Sequence, residues 1–107
     1  MSSDTLFTVH VEDTGGILRG TVGGELDMLT EPDLIAAFGQ AIDTTSATSI
    51  VLDLRQISFI DSSGLRGVLL CNERAVDRGI PFALVVDTGP VTRLLDLAGV
   101  RSWFSYG

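Results

Sequence analysis

The residues with the clearest chemical potential in this sequence are Asp61, Ser62, Ser63 and Gly64, which follow a buried-strand pattern and precede a helical one. At such a junction the first N–H groups of the helix lack intrahelical partners, and the helix dipole is locally positive. An exposed anion there is stabilised by about 0.3–1 kcal/mol. The segment is therefore suited to capping the helix and to holding an anion.

Helix capping alone explains only one of these side chains, because Ser and Asp are among the commonest N-cap residues but a cap needs a single acceptor. The segment offers three such side chains, and Gly64 allows another stretch of backbone to approach closely. In open α/β sheets, sites form outside the carboxyl ends of the strands, which is where this segment lies. It is the candidate functional site of the chain.

The elements that must position this segment begin with strands. Alternating apolar residues predict a first strand over 6–11 and its hairpin partner over 17–22. Gly23 and Gly24 are expected to form a break or a bulge, before residues 25–27 form an extension or a third strand. Thr30 opens the first predicted helix, with Asp33 three residues later.

Alternation of strands and helices follows. The apolar runs at 50–54 and 82–86 predict buried strands, the first covered on both faces or central in the sheet. A helix over 62–78 ends at Gly79, and a shorter one covers 90–98, after which Trp103 and Phe104 are expected to pack on the core. The inner stripe of the helix over 62–78 comprises Leu65, Val68, Leu69, Asn72, Ala75 and Val76.

The predicted class is therefore α/β, with an N-terminal hairpin and then β-α-β-α-β-α around a mixed central sheet with amphipathic helices. The length of 107 residues predicts a single domain over 1–107, with its core at about 6–104. Within the predicted strand 50–54, Asp53 is expected to be satisfied by backbone or by Arg55.

Charge and composition exclude several function classes. The chain has 7 basic and 14 acidic residues and a net charge of −7, which argues against nucleic acid or an anionic membrane as a partner. All seven basic residues are arginine, so phosphate-loop lysines, Schiff bases and the lysine of phospho-aspartate receivers are excluded. Apolar runs are far shorter than the ~20 residues of a membrane span.

Catalysis by this chain is not expected. A serine hydrolase needs a base beside its serine, and the only histidine, His10, lies within the first predicted strand. The carboxylates are scattered, so we expect no metal and no cofactor. Cys71, the only cysteine, lies in an apolar helical stretch and has no internal partner, which favours a reducing cytoplasm.

Several segments together resemble the STAS domain family, which includes bacterial anti-sigma factor antagonists. The resemblance rests on residues 51–54 followed by 59–65, which contain the Asp-Ser-Ser-Gly-Leu motif. Residues 24–27 are similar to the family's loop between the third strand and the first helix, and 93–100 to its C-terminal helix. The similarity covers residues 7–104 in the expected order.

The resemblance implies a regulatory protein rather than an enzyme. Unphosphorylated, it would bind an anti-sigma factor that is also an ATP-dependent serine kinase, and so release the sigma factor. Phosphorylation of the motif would end binding, and a phosphatase would reset the switch. By position the resemblance implies Ser63 as phospho-acceptor, with Ser62 as second choice.

The expected partner surface comprises Asp27, Asp61, Ser62, Ser63, Gly64 and Arg66. Two of these residues have plainer alternatives, because Asp27 is equally suited to capping the first helix and Arg66 to a solvated helix surface. The resemblance also leaves open a regulatory or scaffold module of a transporter, a stress-signalling complex, or a nucleotide or small-ligand sensor. The oligomeric state stays open as well.

Overall fold

Five strands form one mixed sheet in the order β1-β2-β3-β4-β5 in the computed structural model, which describes residues 7–107. β1 and β2 form an antiparallel hairpin, and each later strand pairs in parallel with the one before it. The strands are β1 Phe7–Thr14, β2 Ile17–Leu26, β3 Ser49–Ile60, β4 Phe82–Val85 and β5 Ser105–Tyr106. The predicted α/β class and mixed sheet are confirmed.

Helices connect the parallel strands. They are α1 Glu31–Leu34, a π-helical turn Ile35–Gly39, α2 Gln40–Thr44, α3 Ser62–Asp77, α4 Pro90–Ala98 and a 3-10 turn Arg101–Trp103. Because the strand order always advances in one direction, right-handed crossovers place these helices on one face of the sheet. No helix among residues 7–107 combines the length and hydropathy needed to span a bilayer.

The core lies between that face and the helices. Alternate residues of the strands point into it, as the paired Leu18, Ile50 and Phe82 illustrate. The side chains of the helices that meet them include Leu34, Phe38, Ile42, Val68, Cys71, Ala75, Val91 and Leu95. Burial raises the pKa of Cys71 to about 12, so its thiol stays protonated and unreactive at neutral pH.

Two strands continue beyond their apolar runs. β2 is irregular at Gly23 and Gly24 and then continues to Leu26, with shifts of register on either side of this glycine pair, which agrees with the predicted alternative of a bulge and an extension. Gly24 has φ of +93°, a conformation that favours glycine, so the irregularity is absorbed without ending the strand. β3 likewise extends beyond the predicted end at residue 54 to Ile60, so the strand ends directly before Asp61.

Some expectations about side chains and element ends were wrong. Val76 is 65% exposed, because Cys71 and Ala75 take the core positions of α3. Trp103 is 62% exposed and only its neighbour Phe104 packs on the core. The short edge strand β5 was not predicted, since two exposed residues carry no periodicity. The expected first-strand residue Leu6 lies outside the described residues.

The face of the sheet opposite the helices carries an ion-pair cluster instead of a second apolar layer. Strand 50–54 is therefore central in the sheet, the second of the two predicted alternatives, and is not covered on both faces. Asp53 points to this face with its side chain only 8% exposed. Its Oδ1 accepts hydrogen bonds from the backbone N–H and the Nε–H of Arg55 at 3.0 and 3.1 Å, and its Oδ2 accepts one from Nη2 of Arg55 at 2.8 Å. Nη1 of Arg19 lies 3.7 Å from the same Oδ2. The predicted pairing with Arg55 is confirmed.

These contacts predict a pH-dependent contribution to stability. The hydrogen bonds from Arg55 hold the pKa of Asp53 below its ordinary value despite the opposing effect of burial. The contribution of this ionised carboxylate to stability is therefore present above the ordinary pKa of about 3.9 and is lost as pH falls through the lower, folded-state pKa.

We expect Asp53→Asn to lower the free energy of unfolding by about 1–2 kcal/mol at pH 7, and by progressively less below pH ~4. Urea unfolding from pH 7 to pH 2 measures this, with the exposed Glu73→Gln as control. A pH-independent difference would contradict the assignment.

Candidate functional site

Asp61 is the N-cap of α3. Its backbone is extended, with φ of −118° and ψ of −173°, and its Oδ1 accepts a hydrogen bond from the N–H of Gly64 at 3.0 Å. An aspartate cap of this kind stabilises a helix by roughly 1 kcal/mol and also places a negative charge at the positive end of the helix dipole. The capping interpretation therefore holds for Asp61, and it leaves Ser62 and Ser63 without that task.

Gly64 joins the start of α3 to the end of β2. A β-carbon built on Gly64 would lie 2.2 Å from the carbonyl oxygen of Leu26, which is closer than any side chain allows. That same carbonyl accepts a hydrogen bond from the N–H of Asp61 at 3.3 Å. The glycine is thus required for packing, and it brings the β2–α1 loop beside the helix that carries the serines.

Asp27 holds the loop that follows β2. Its Oδ1 accepts hydrogen bonds from the N–H groups of Leu29 and Thr30 at 3.0 and 3.2 Å. The Thr30 hydroxyl in turn donates to the carbonyl of Glu25 at 2.8 Å and accepts from the N–H of Asp27 at 2.9 Å. Thr30 therefore closes this loop and does not cap α1 through its side chain. Asp27 has a structural role here, and its predicted role in docking stays a prediction.

Ser62 and Ser63 occupy the first turn of α3. Ser62 is exposed and Ser63 is half-buried, and neither hydroxyl has a hydrogen-bond partner among residues 7–107. Arg66 lies one turn further along α3, at the helical spacing that places it beside both serines, and is exposed. The two hydroxyls are therefore free to react or to meet a partner without loss of any contact that holds the fold.

The structure keeps His10 away from these serines. His10 is exposed on β1 opposite Thr21, whereas the start of α3 adjoins Leu26 at the end of β2. Thr21 and Leu26 are five positions apart along β2, a distance of about 16 Å. A serine–histidine pair is thus absent here, and within residues 7–107 no three acidic, histidine or cysteine side chains are grouped to hold a metal ion.

A shallow cleft of about 270 Å³ lies beside the motif, between the end of β3 and α4. One wall is formed by Ser58–Ile60 and the other by Pro90, Arg93, Leu94 and Leu97. Its volume is slightly below the ~300–1,000 Å³ of typical ligand pockets. The lining of the cleft combines apolar side chains with Ser58 and Arg93 and contains no group with the geometry of a catalyst.

Sequence reasoning missed two residues of this surface, Met28 and Leu29. They form the tip of the β2–α1 loop and are 69% and 80% exposed. The available signal was an apolar pair between Asp27 and Thr30, two residues that are typical of turns. The structure thus brings Asp27, Met28 and Leu29 to the same end of the molecule as the motif.

A mixed, five-stranded sheet with helices on one face and a serine pair at the start of α3 define the class of the protein as a mixed α/β domain, and the comparisons specify its family. The family model described as "STAS domain" matches residues 8–106. The chain belongs to the STAS domain family.

The related proteins carry a consistent name. Over 104 residues the chain is 29% identical to the anti-sigma-F factor antagonist RsfB of Mycobacterium tuberculosis, and the match covers 97% of this chain and 84% of RsfB. Over 93 residues it is 34% identical to an anti-sigma F factor antagonist of Paenibacillus polymyxa, with 86% and 79% covered. An anti-sigma factor antagonist structure from Mycobacterium paratuberculosis matches with a TM-score of 0.81 at 29% identity, over 99% of this chain and 90% of that one.

More distant structures share only the fold. The unphosphorylated form of SpoIIAA matches with a TM-score of 0.70 at 23% identity, and the match covers 92% of this chain and 86% of that one. The phosphorylated form also matches with a TM-score of 0.70, at 22% identity, over 94% of this chain and 91% of that one. A sulfate transporter family protein of Wolinella succinogenes matches with a TM-score of 0.71, at 18% identity over 88% and 75%. The same architecture therefore occurs in proteins of different function.

The close approach of Gly64 to Leu26 predicts a selective effect of alanine at two glycines of the same helix. We expect Gly64→Ala to destabilise the protein by about 1–3 kcal/mol, because the added methyl group meets rigid backbone. Gly67→Ala is the matched control, since its methyl group would meet the flexible Glu31 side chain at 2.8 Å and alanine favours the helix by ~1 kcal/mol. Urea denaturation compares the two variants. Equal stabilities would show that the contact with Leu26 imposes no constraint.

Proposed function

We propose that this protein is an anti-sigma factor antagonist whose unphosphorylated form binds an anti-sigma factor kinase and thereby releases a sigma factor. The observation that carries the proposal is the placement of Ser62 and Ser63, two hydroxyls without protein partners among the described residues, beside the Asp27 loop. The shared name of the relatives supports the same activity. Such a role would place the protein in the cytoplasm, as a substrate of a serine kinase and of a resetting phosphatase.

The acceptor serine is proposed to be one of this pair. The position in the motif favoured Ser63, whereas exposure favours Ser62, because a kinase must reach the hydroxyl and Ser62 is the more exposed of the two. Asp27, Asp61, Gly64 and Arg66 complete the proposed docking surface. Asp61 and Gly64 act there chiefly by fixing the position of the serines.

Phosphorylation would change the surface more than the scaffold. A phosphoserine adds a charge of about −1.5 to −2, and the start of a helix tolerates that charge. Since Asp61 already caps α3, neither serine side chain is needed to hold the helix. The fold likeness to SpoIIAA in both of its forms agrees with a scaffold that survives the modification.

Release of the partner would follow from the cost of burying charge at the contact. A docked partner that excludes water from this surface would face a phosphate close to Asp27 and Asp61, and burying like charges costs several kcal/mol. A loss of ~4 kcal/mol weakens binding about a thousandfold. That difference is sufficient for an on–off switch.

A phosphorylation assay tests this proposal. The chain is incubated with ATP, magnesium and each purified anti-sigma factor kinase of its source organism, and phosphate is mapped by mass spectrometry. We expect one phosphate per chain within the Ser62–Ser63 pair, none on S62A/S63A, and an unchanged rate for Ser58→Ala, an exposed serine on neighbouring β3. The single variants Ser62→Ala and Ser63→Ala identify the acceptor.

Binding measured with the same kinase completes the test. We expect the phosphorylated chain to bind about a thousandfold more weakly than the unmodified chain, with an unfolding free energy within ~1 kcal/mol of it. Glutamate at the acceptor position should weaken binding at least tenfold, and alanine there should preserve it. Equal affinities of the phosphorylated and unmodified chains would refute the switch.

A further inference from the structure

The exposed pair at the tip of the β2–α1 loop has no role within the fold. Met28 and Leu29 are 69% and 80% exposed, and neither belongs to the core. A methionine and a leucine are costly to keep in water, and their burial against a partner is favourable. Adjacent exposed apolar side chains beside a functional site are typical of a protein-docking surface.

The loop holds this pair in a fixed conformation. The N–H of Leu29 and the N–H of Thr30 both bind Oδ1 of Asp27, and the Thr30 hydroxyl ties the loop back to Glu25. The N–H of Glu31 also donates to the carbonyl of Asp27 at 2.8 Å. A rigid loop loses little conformational entropy on binding, so the contact area of its tip translates efficiently into affinity.

The charges around the pair specify the chemistry of the partner. The sequence places Asp27 directly before the pair and Glu31 and Asp33 shortly after it. The backbone N–H of Asp61 donates a hydrogen bond to the carbonyl of Leu26, the residue before Asp27. No arginine or lysine occurs between residues 20 and 54, so the β2–α1 loop itself is negatively charged, and the nearby basic side chain is the exposed Arg66 on α3. A complementary partner surface has an apolar socket with a basic rim.

Building on the proposed function, we propose that Met28 and Leu29 are the apolar anchors by which this chain recognises its anti-sigma factor kinase, in a socket rimmed by arginine or lysine. The contact between Gly64 and the carbonyl of Leu26 makes this tip continuous with the serine-bearing end of α3. The anchors supply affinity and partner choice, and the serines supply the switch.

The test uses the kinase that phosphorylates the wild-type chain in the assay above. We expect M28S/L29S to bind that kinase 10- to 100-fold more weakly. In the phosphorylation reaction KM should rise with kcat unchanged, because the anchors lie outside the reacting group. The exchange M28L/L29M keeps apolar volume and should bind within about threefold of wild type. Asp33→Asn should lower the association rate and weaken its dependence on salt.

Val76→Ser is the matched control, since Val76 is 65% exposed, nearly as much as Met28, but lies near the opposite end of α3. Circular dichroism and urea unfolding verify that each variant is folded. Unchanged binding by M28S/L29S overturns the inference while leaving the proposed function intact. Equal weakening by Val76→Ser also overturns it, because the effect would then be a general one of exposed apolar surface. If the wild-type chain binds no anti-sigma factor kinase, the proposed function fails and the inference fails with it.

Discussion

The close approach of Gly64 to the carbonyl oxygen of Leu26 connects every part of the functional surface. It packs the first turn of α3 directly on the end of β2, and the N–H of Asp61 donates to the same oxygen. One backbone group thereby sets the distance between the β2–α1 loop and the serine pair. A side chain at position 64 would separate the two, because backbone cannot give way as a flexible side chain does. The surface is therefore assembled by backbone packing, and its side chains are left largely free for a partner.

Division of tasks within the motif follows from this arrangement. Asp61 satisfies the helix start, Gly64 allows the close packing, and Ser62 and Ser63 remain without an internal partner among the described residues. Redundancy of capping side chains was the feature that first set this segment apart, and the structure assigns the cap to the aspartate alone. The cap carries a negative charge that persists whatever happens at the serines. A phosphate added to either serine would therefore join an existing carboxylate and make the surface more acidic, while Asp61 would keep the cap.

Prediction from sequence succeeded where a pattern had a local physical cause. Apolar alternation located β1, Gly79 and Gly99 marked helix ends with φ of +69° and +71°, and the carboxylate of Asp53 was correctly paired with Arg55. Prediction from sequence failed where contacts between residues far apart in the sequence decide the end of a strand or the exposure of a side chain. The extension of β3 to Ile60 depends on pairing with Leu26 of β2, and no local pattern contains that pairing. The exposure of Val76 and Trp103 likewise depends on which neighbours fill the core first. The site followed the same rule: the motif was found in the sequence, whereas its proximity to Met28 and Leu29 required the fold.

The distribution of charge bears on how phosphorylation would control the proposed interaction. The chain has a net charge of −7, and two of its arginines, Arg19 and Arg55, are paired with Asp53 on the helix-free face of the sheet. At the motif end, Asp61 adjoins the serines and Asp27 lies on the neighbouring loop, so the proposed partner, with a basic surface, would be attracted before phosphorylation. Phosphate would increase the same negative charge, so long-range attraction alone would strengthen binding. In the proposed switch, release would therefore come from contact: a dianion too large and too strongly hydrated to be buried against Asp61 would prevent the proposed anchors Met28 and Leu29 from docking, and affinity would fall although the long-range attraction increases.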